Sequence, residues 1–404
     1  MPQPVDIGEL SIDMYEKVLP EEIAGLRQLA RELNGARLLH INSTPYGGGV
    51  SELLRSQVPL ERALGIDAHW QVISGDASFY RVTKGFHNAL QGGEYNLTRS
   101  DQETYIAYSI SNARTLTDKY DFVIVHDPQP AALRSFCPDI GAHWCWRCHI
   151  DTSNPNPGVW DFLAPFVNEY DAAIFTLRDF IPRGVSVQTE TITPAIDPLS
   201  PKNMELPEDI GSHLVSWTGV PQEGPLICQV SRFDRWKDPL GVIEAYRLIK
   251  EERSNVRLAL VGSMALDDPE GWDMYEQIIE ASRKDRQINV FTDVGDLQVN
   301  AFQRLADVVV QKSIREGFGL VVSETLWKGT PVVAGRTGGI PIQMAGGGGF
   351  LVESVEEAAR RILELLANPE TAAEQGRLGR LHVRNNFLIT RLVRDELRLL
   401  RSLT

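Results

Sequence analysis

Two kinds of segment alternate along this chain. Short runs in which almost every position is apolar, such as Phe122-Val123-Ile124-Val125 and Val308-Val309-Val310, are separated by longer stretches whose apolar residues return every three or four positions. The first pattern suits a strand covered on both faces, and the second suits a helix with one buried stripe. The spacing predicts strands over 37–42, 69–74, 121–126, 143–150 and 172–176, with helices over 50–64, 98–118 and 159–170. A turn-rich connection follows, from Thr193-Pro194 to Pro221-Gln222-Glu223-Gly224-Pro225, with a short helix expected within 204–217. The alternation then restarts, with strands over 226–230, 256–262, 288–291, 307–311 and 331–334. Helices are expected over 239–250, 272–283, 319–329, 356–366 and 390–403.

Alternation of this kind predicts an α/β fold with two Rossmann-like, doubly wound parallel-sheet domains. The proline- and acid-rich connection places the first domain over 1–200 and the second over 201–385. Ligands of open α/β sheets bind beyond the carboxyl ends of the strands, so the two domains are expected to face each other across a cleft.

Composition narrows the function. A hydrophobic fraction of 43% and a charged fraction of 23% are those of an ordinary globular protein. The formal net charge of −14 argues against a nucleic-acid or anionic-membrane partner, which calls for a basic footprint. No run of about 18 apolar residues suggests a membrane span, and the start of the chain does not resemble a secretory signal. A cytoplasmic location is expected, where Asn96-Leu97-Thr98 is a glycosylation sequon by letter only. The four cysteines, Cys137, Cys145, Cys148 and Cys228, fit a reducing compartment. Cys145-Trp146-Arg147-Cys148-His149 spells a haem-attachment motif, but positions 145 and 148 of a strand point to opposite faces. No second Cys/His pair completes a zinc site, so these are read as buried strand cysteines.

Several polar segments sit at the ends of predicted strands, where catalysis would need them. In Ser313-Ile314-Arg315-Glu316-Gly317-Phe318-Gly319-Leu320-Val321-Val322-Ser323-Glu324, one glutamate falls in a loop and the other in the next helix. Carboxylates accept hydroxyl protons in fixed geometry, and glycines let the backbone approach a ligand closely. The helix that opens near Gly319 turns its free N–H groups toward an anion. Ser231-Arg232-Phe233-Asp234-Arg235-Trp236-Lys237-Asp238 offers a guanidinium and an ammonium after another strand. Asn42-Ser43-Thr44-Pro45-Tyr46-Gly47-Gly48-Gly49 is a glycine loop with neither Walker nor dinucleotide spacing. His126-Asp127-Pro128-Gln129-Pro130 and His149-Ile150-Asp151 end two further strands, and Arg336-Thr337-Gly338-Gly339 follows another. No Asp-x-Asp metal motif stands at a strand end, so no metal and no cofactor is expected. Each segment also has a plainer reading as a turn or cap.

Taken together these segments resemble the signature of retaining GT-B nucleotide-sugar glycosyltransferases of the family 4 type, across nearly the whole chain. The resemblance implies that Glu316 contacts donor-sugar hydroxyls and Glu324 holds the ribose. The backbone of Gly317, Phe318, Gly319 and Leu320, with Gly48 and Gly49, would line the donor. Arg232 and Lys237 would hold the diphosphate, and His149 would hydrogen-bond the donor sugar near its reacting face. Residues 386–404 would cross back as a helix onto the first domain. The two histidine–aspartate segments are most like those of trehalose glycosyltransferring synthases, which makes Asp127, with His126 and Asp151, the expected acceptor site.

The implied reaction moves glucose from a nucleoside-diphosphate glucose to free glucose, reversibly, with retention. The donor is a substrate rather than a cofactor, and a homodimer is the expected assembly. A transferase of the same fold with another small polar acceptor, and a silent sugar-nucleotide-binding protein, are the alternatives. The second predicts loss of a charged site residue, and Asp127, His149, Arg232, Lys237 and Glu316 are all present.

Overall fold

A computed structural model describes residues 2–46, 48–137, 141–220, 223–263 and 269–404. Gly47 of the glycine loop, and Pro221 and Gln222 of the connection, lie outside the described residues. The chain divides into two compact units, Met1–Ala195 with Ile389–Thr404, and Ile196–Leu388.

The first unit holds strands β1 (Gln3–Pro4), β2 (Arg37–Asn42), β3 (Asp67–Val72), β4 (Phe122–His126), β5 (His143–Cys148), β6 (Ala172–Phe175) and β7 (Gln188–Thr191). They form one sheet in the order β1-β3-β2-β4-β5-β6-β7, parallel except for β1. The order reverses between β2 and β4, the kind of place where open α/β sheets bind ligands. β3 begins and ends two residues earlier than its apolar pattern suggests, because it pairs in register from Arg37↔Asp67 to Asn42↔Val72. β5 stops at Cys148 rather than 150 because the next N–H is taken by a side chain: His149 N–H donates to Asp127 Oδ1 at 2.8 Å. Leu39, Ile41, Val123, Val125 and Trp146 line one face against Phe79, Phe86, Tyr105 and Trp160. The final helix, Ile389–Leu403, buries Ile389, Leu392, Val393, Leu397 and Leu400 against helices Pro20–Ala30 and Gly49–Ala63.

The second unit holds β8 (Leu226–Arg232), β9 (Arg257–Ser263), β10 (Ile288–Thr292), β11 (Val308–Gln311), β12 (Val332–Gly335) and β13 (Gly349–Val352), all parallel, in the order β10-β9-β8-β11-β12-β13. Alternate residues feed opposite cores. Ile227, Leu258, Leu260, Val308 and Val310 pack on one face, and Cys228, Ala259, Val261 and Val309 on the other. That is the two-sided burial the apolar runs imply. Here the order reverses between β8 and β11.

The four cysteines are free and buried. No helix among the described residues is long and apolar enough to cross a membrane.

Candidate active site

In the second unit, the loops after β8 and β11 meet. Asp234 accepts N–H bonds from Trp236 (2.9 Å) and Lys237 (3.2 Å), which folds the Arg232–Lys237 segment into a tight turn. The N–H of Ile314 donates to Trp236 O at 2.8 Å, tying that turn to the glutamate loop. Across this seam the Lys237 ammonium pairs with Glu316 Oε2, and Ser313 Oγ donates to the same oxygen at 3.3 Å. Both partners keep a little accessible surface, 17% for Lys237 and 11% for Glu316. A second pair, Lys312 with Asp238, braces the same two loops. Arg232 is exposed and rests near Asp234.

Two glycines allow the Glu316 loop to take this shape. Gly319 has φ +83, a conformation that costs L side chains but not glycine, and it hands the chain into helix Leu320–Trp327. Gly338 has φ +53, and a Cβ there would fall 1.7 Å from Glu316 O. Gln343 joins the support, because its Oε1 accepts from Ser323 N–H (2.9 Å) while its Nε2 donates to Phe318 O (2.5 Å). Phe318 is buried, while Gly317, Gly319 and Leu320 are half-buried.

Glu324 lies deeper than Glu316. Its side chain is 3% exposed, one oxygen accepts from Gln303 Nε2 at 3.1 Å, and the other lies 4.0 Å from Lys202 Nζ. Lys328 Nζ donates to Glu324 O and Asn203 Oδ1, both at 2.9 Å, and burial pulls this ammonium down to about 7.

In the first unit, the segments after β2, β4 and β5 come together beside the reversal of strand order. Asn42 Nδ2 and Ser51 Oγ both donate to Thr44 O at 2.7 Å, shaping the glycine loop. Gly48 and Gly49 are exposed where helix Gly49–Ala63 begins. Asp127 sits at φ 66, a left-handed conformation that aspartate tolerates better than most residues. Its N–H donates to Arg147 O (2.8 Å) and its carboxylate accepts from His149 N–H. Burial pushes that carboxyl up to about 6. Asp151 accepts from Ser153 N–H at 2.9 Å and so shapes its own turn.

His126 departs from the expected acceptor contact. It is fully buried, and both ring nitrogens are engaged, Nε2 with His40 Nδ1 (3.0 Å) and Nδ1 with His149 Nε2 (2.9 Å). A side chain enclosed in this way has no ring nitrogen left for a ligand. His40 continues inward to Glu61 Oε2 at 3.1 Å. Burial holds His126 and His149 well below the ordinary histidine range. Arg147 and Glu396 form a buried ion pair beside these groups, and Gln57 Nε2 donates to both Glu61 and Glu396. Sequence reasoning does not single out His40, Glu61, Gln57, Glu396 or Gln343. The available signal is a polar residue inside an apolar pattern, as in Leu38-Leu39-His40-Ile41.

Comparison with known proteins bears on both units. Residues 40–182 match the family described as trehalose synthase, N-terminal domain, and residues 217–382 match glycosyl transferases group 1. A trehalose synthase of Rubrobacter xylanophilus is 52% identical, covering 100% of this chain and 99% of the relative. A trehalose synthase of Pyrococcus horikoshii is 44% identical, covering 98% of this chain and 97% of the relative. Among solved structures, an α,α-trehalose-phosphate synthase (UDP-forming) from Burkholderia xenovorans in complex with glucose-6-phosphate gives a TM-score of 0.73 at 15% identity. It covers 90% of this chain and 100% of that one, a likeness of fold.

Proposed function

The chain belongs to the trehalose synthase family of GT-B glycosyltransferases, and on that premise we propose that it transfers glucose, with retention, from a nucleoside-diphosphate glucose to free glucose, forming trehalose. The observation that carries the proposal is the Lys237–Glu316 pair. It joins a cationic turn suited to a diphosphate with a carboxylate suited to sugar hydroxyls, at the strand ends where the second sheet reverses order.

The chemistry follows from those groups. As the bond from the sugar to the diphosphate lengthens, negative charge grows on the leaving oxygens and positive charge on the sugar ring. Arg232 and Lys237 offset the first, aided by the N–H groups that open helix Leu320–Trp327. Glu316 accepts hydroxyl protons of the sugar and holds it in place. Glu324 takes the ribose, after an exchange of its Gln303 contact. His149 adds a hydrogen bond to the sugar, and Asp127 accepts one from the incoming glucose. The acceptor proton passes to the departing diphosphate on the same face, which accounts for retention without a protein nucleophile. The donor is consumed as a substrate, and the reaction calls for no cofactor.

The test is nucleoside diphosphate release with UDP-, ADP- and GDP-glucose, each with and without glucose. Glucose-dependent release from at least one donor supports the proposal. Maltose alone serves as the control, since a trehalose synthase by name could also rearrange that disaccharide. Trehalose from maltose without a nucleotide sugar would contradict the reaction proposed.

A further inference from the structure

The first unit contains a line of hydrogen bonds that the transfer chemistry above does not use. It runs Glu61 Oε2···His40 Nε2 (3.1 Å), His40 Nδ1···His126 Nε2 (3.0 Å) and His126 Nδ1···His149 Nε2 (2.9 Å). Glu61, His40 and His126 are each 0% exposed, whereas His149 is half-buried. The planes of His126 and His149 differ by 17° with centroids 5.2 Å apart. Their bonded nitrogens are much closer than that, so the rings meet end to end, as an N–H···N bond requires. Among the described residues, Nδ1 of His149 is the one ring nitrogen of the three left without a partner.

Hydrogen-bond chemistry gives such a line a direction. A carboxylate only accepts, so the His40 nitrogen facing Glu61 carries the proton. When His40 carries that one proton, its Nδ1 offers a lone pair, which His126 meets with Nε2–H. Neutral His126 in turn offers Nδ1 to His149 Nε2–H. Desolvation keeps His126 and His149 in their neutral forms, with Arg147 opposing a further positive charge. The other charged groups around the line are Glu396, reached through Gln57, and Asp127, which holds the His149 N–H.

We propose that Glu61, His40 and His126 are positioning residues that hold His149 in its Nε2–H tautomer, so that Nδ1 presents a lone pair to a hydroxyl of the donor sugar. The proposal rests on the reading of His149 as a sugar contact. Fixing a ligand-facing histidine through its other nitrogen is an effective way to set both ring orientation and tautomer. Here the anchor is three bonds away, and the two inner links are buried, away from water that would otherwise scramble the direction.

The experiment uses full-length protein labelled with 15N on histidine and long-range 1H–15N correlation spectra at neutral pH. His149 is assigned by loss of its signals in His149→Phe. The expected wild-type result is a protonated Nε2 and an unprotonated Nδ1. Glu61→Gln can donate as well as accept, so it should mix or reverse the His149 tautomer. It should also lower kcat by roughly tenfold, the scale of one neutral hydrogen bond, with little change in nucleotide affinity. His126→Phe cuts the line before His149 and should release its tautomer likewise. A wild-type His149 protonated at Nδ1, or a Glu61→Gln protein with unchanged tautomer and kcat, would overturn the proposal. If His149→Ala itself kept full turnover, the sugar-contact reading would fail instead, whatever the tautomer.

Discussion

Replacing Glu316 by glutamine keeps the size of the side chain and removes its charge. Two losses follow from the geometry. A carboxylate accepting a sugar hydroxyl makes a charge-assisted bond with a net value of about 1.5–3 kcal/mol, or roughly ten- to 150-fold in rate. The Lys237 ammonium, only 17% exposed, also loses its partner and its fixed place beside the leaving diphosphate. Removal of one preorganised electrostatic group typically costs about 10²- to 10³-fold. The two losses share one contact, so they do not simply multiply, and the expected fall in kcat is about 10²- to 10³-fold. Free nucleoside diphosphate should bind nearly as well as before, because Glu316 is assigned to the sugar. Steady-state transfer assays and calorimetric titration with the nucleoside diphosphate separate these quantities. Lys237→Ala combined with Glu316→Gln should cost clearly less than the sum of the single changes. Near-normal turnover in Glu316→Gln, or nucleotide affinity falling as far as kcat, would refute the assignment.

Other outcomes follow from single contacts. Glu396→Ala leaves the buried Arg147 guanidinium without its carboxylate, a loss of about 3–5 kcal/mol visible by calorimetry, and Arg147→Met with Glu396→Leu should recover most of it. Asp127, pushed up to about 6 by burial, should impose an acid limb on kcat/KM for the acceptor below about pH 6, absent from any residual activity of Asp127→Asn. The sign for stability is the reverse: ionising a carboxyl whose folded pKa lies above its unfolded value costs stability as pH rises from about 4 to about 6, so Asp127→Asn should flatten that decline in pH-dependent melting. Gly338→Ala puts a Cβ 1.7 Å from Glu316 O at a positive φ, so it should lower kcat through displacement of the loop while the protein stays folded by circular dichroism.

The two sheets are readable in the sequence because their central strands are apolar on both faces, as in Phe122–His126 and Val308–Gln311. The edges of the first sheet carry no such signal. Gln188–Thr191 is a strand of four polar residues, and Gln3–Pro4 is only two residues long, so neither has a hydrophobic pattern to read. Helices such as Ala77–Leu90 and Asp296–Leu305 also escape the reading, although each buries an apolar stripe. Arg232, Lys237 and Glu316 stand out because short contiguous segments at strand ends keep their parts together in sequence. The histidine line does not, because His40 meets a residue 86 positions away, and only the order of strands brings them together. Glu396 is legible in principle. It occupies a core position of an amphipathic helix, where an unpaired acid would be costly and a buried partner is therefore implied.

The most direct test of the proposed reaction is to follow 13C-labelled glucose, marked at C1, in the presence of an unlabelled nucleoside-diphosphate glucose. The expected result is movement of the labelled carbon into an α,α-1,1 linkage, seen by NMR as a disaccharide with no reducing end. Label that enters a different linkage, or stays in free glucose while the donor is consumed, would contradict it.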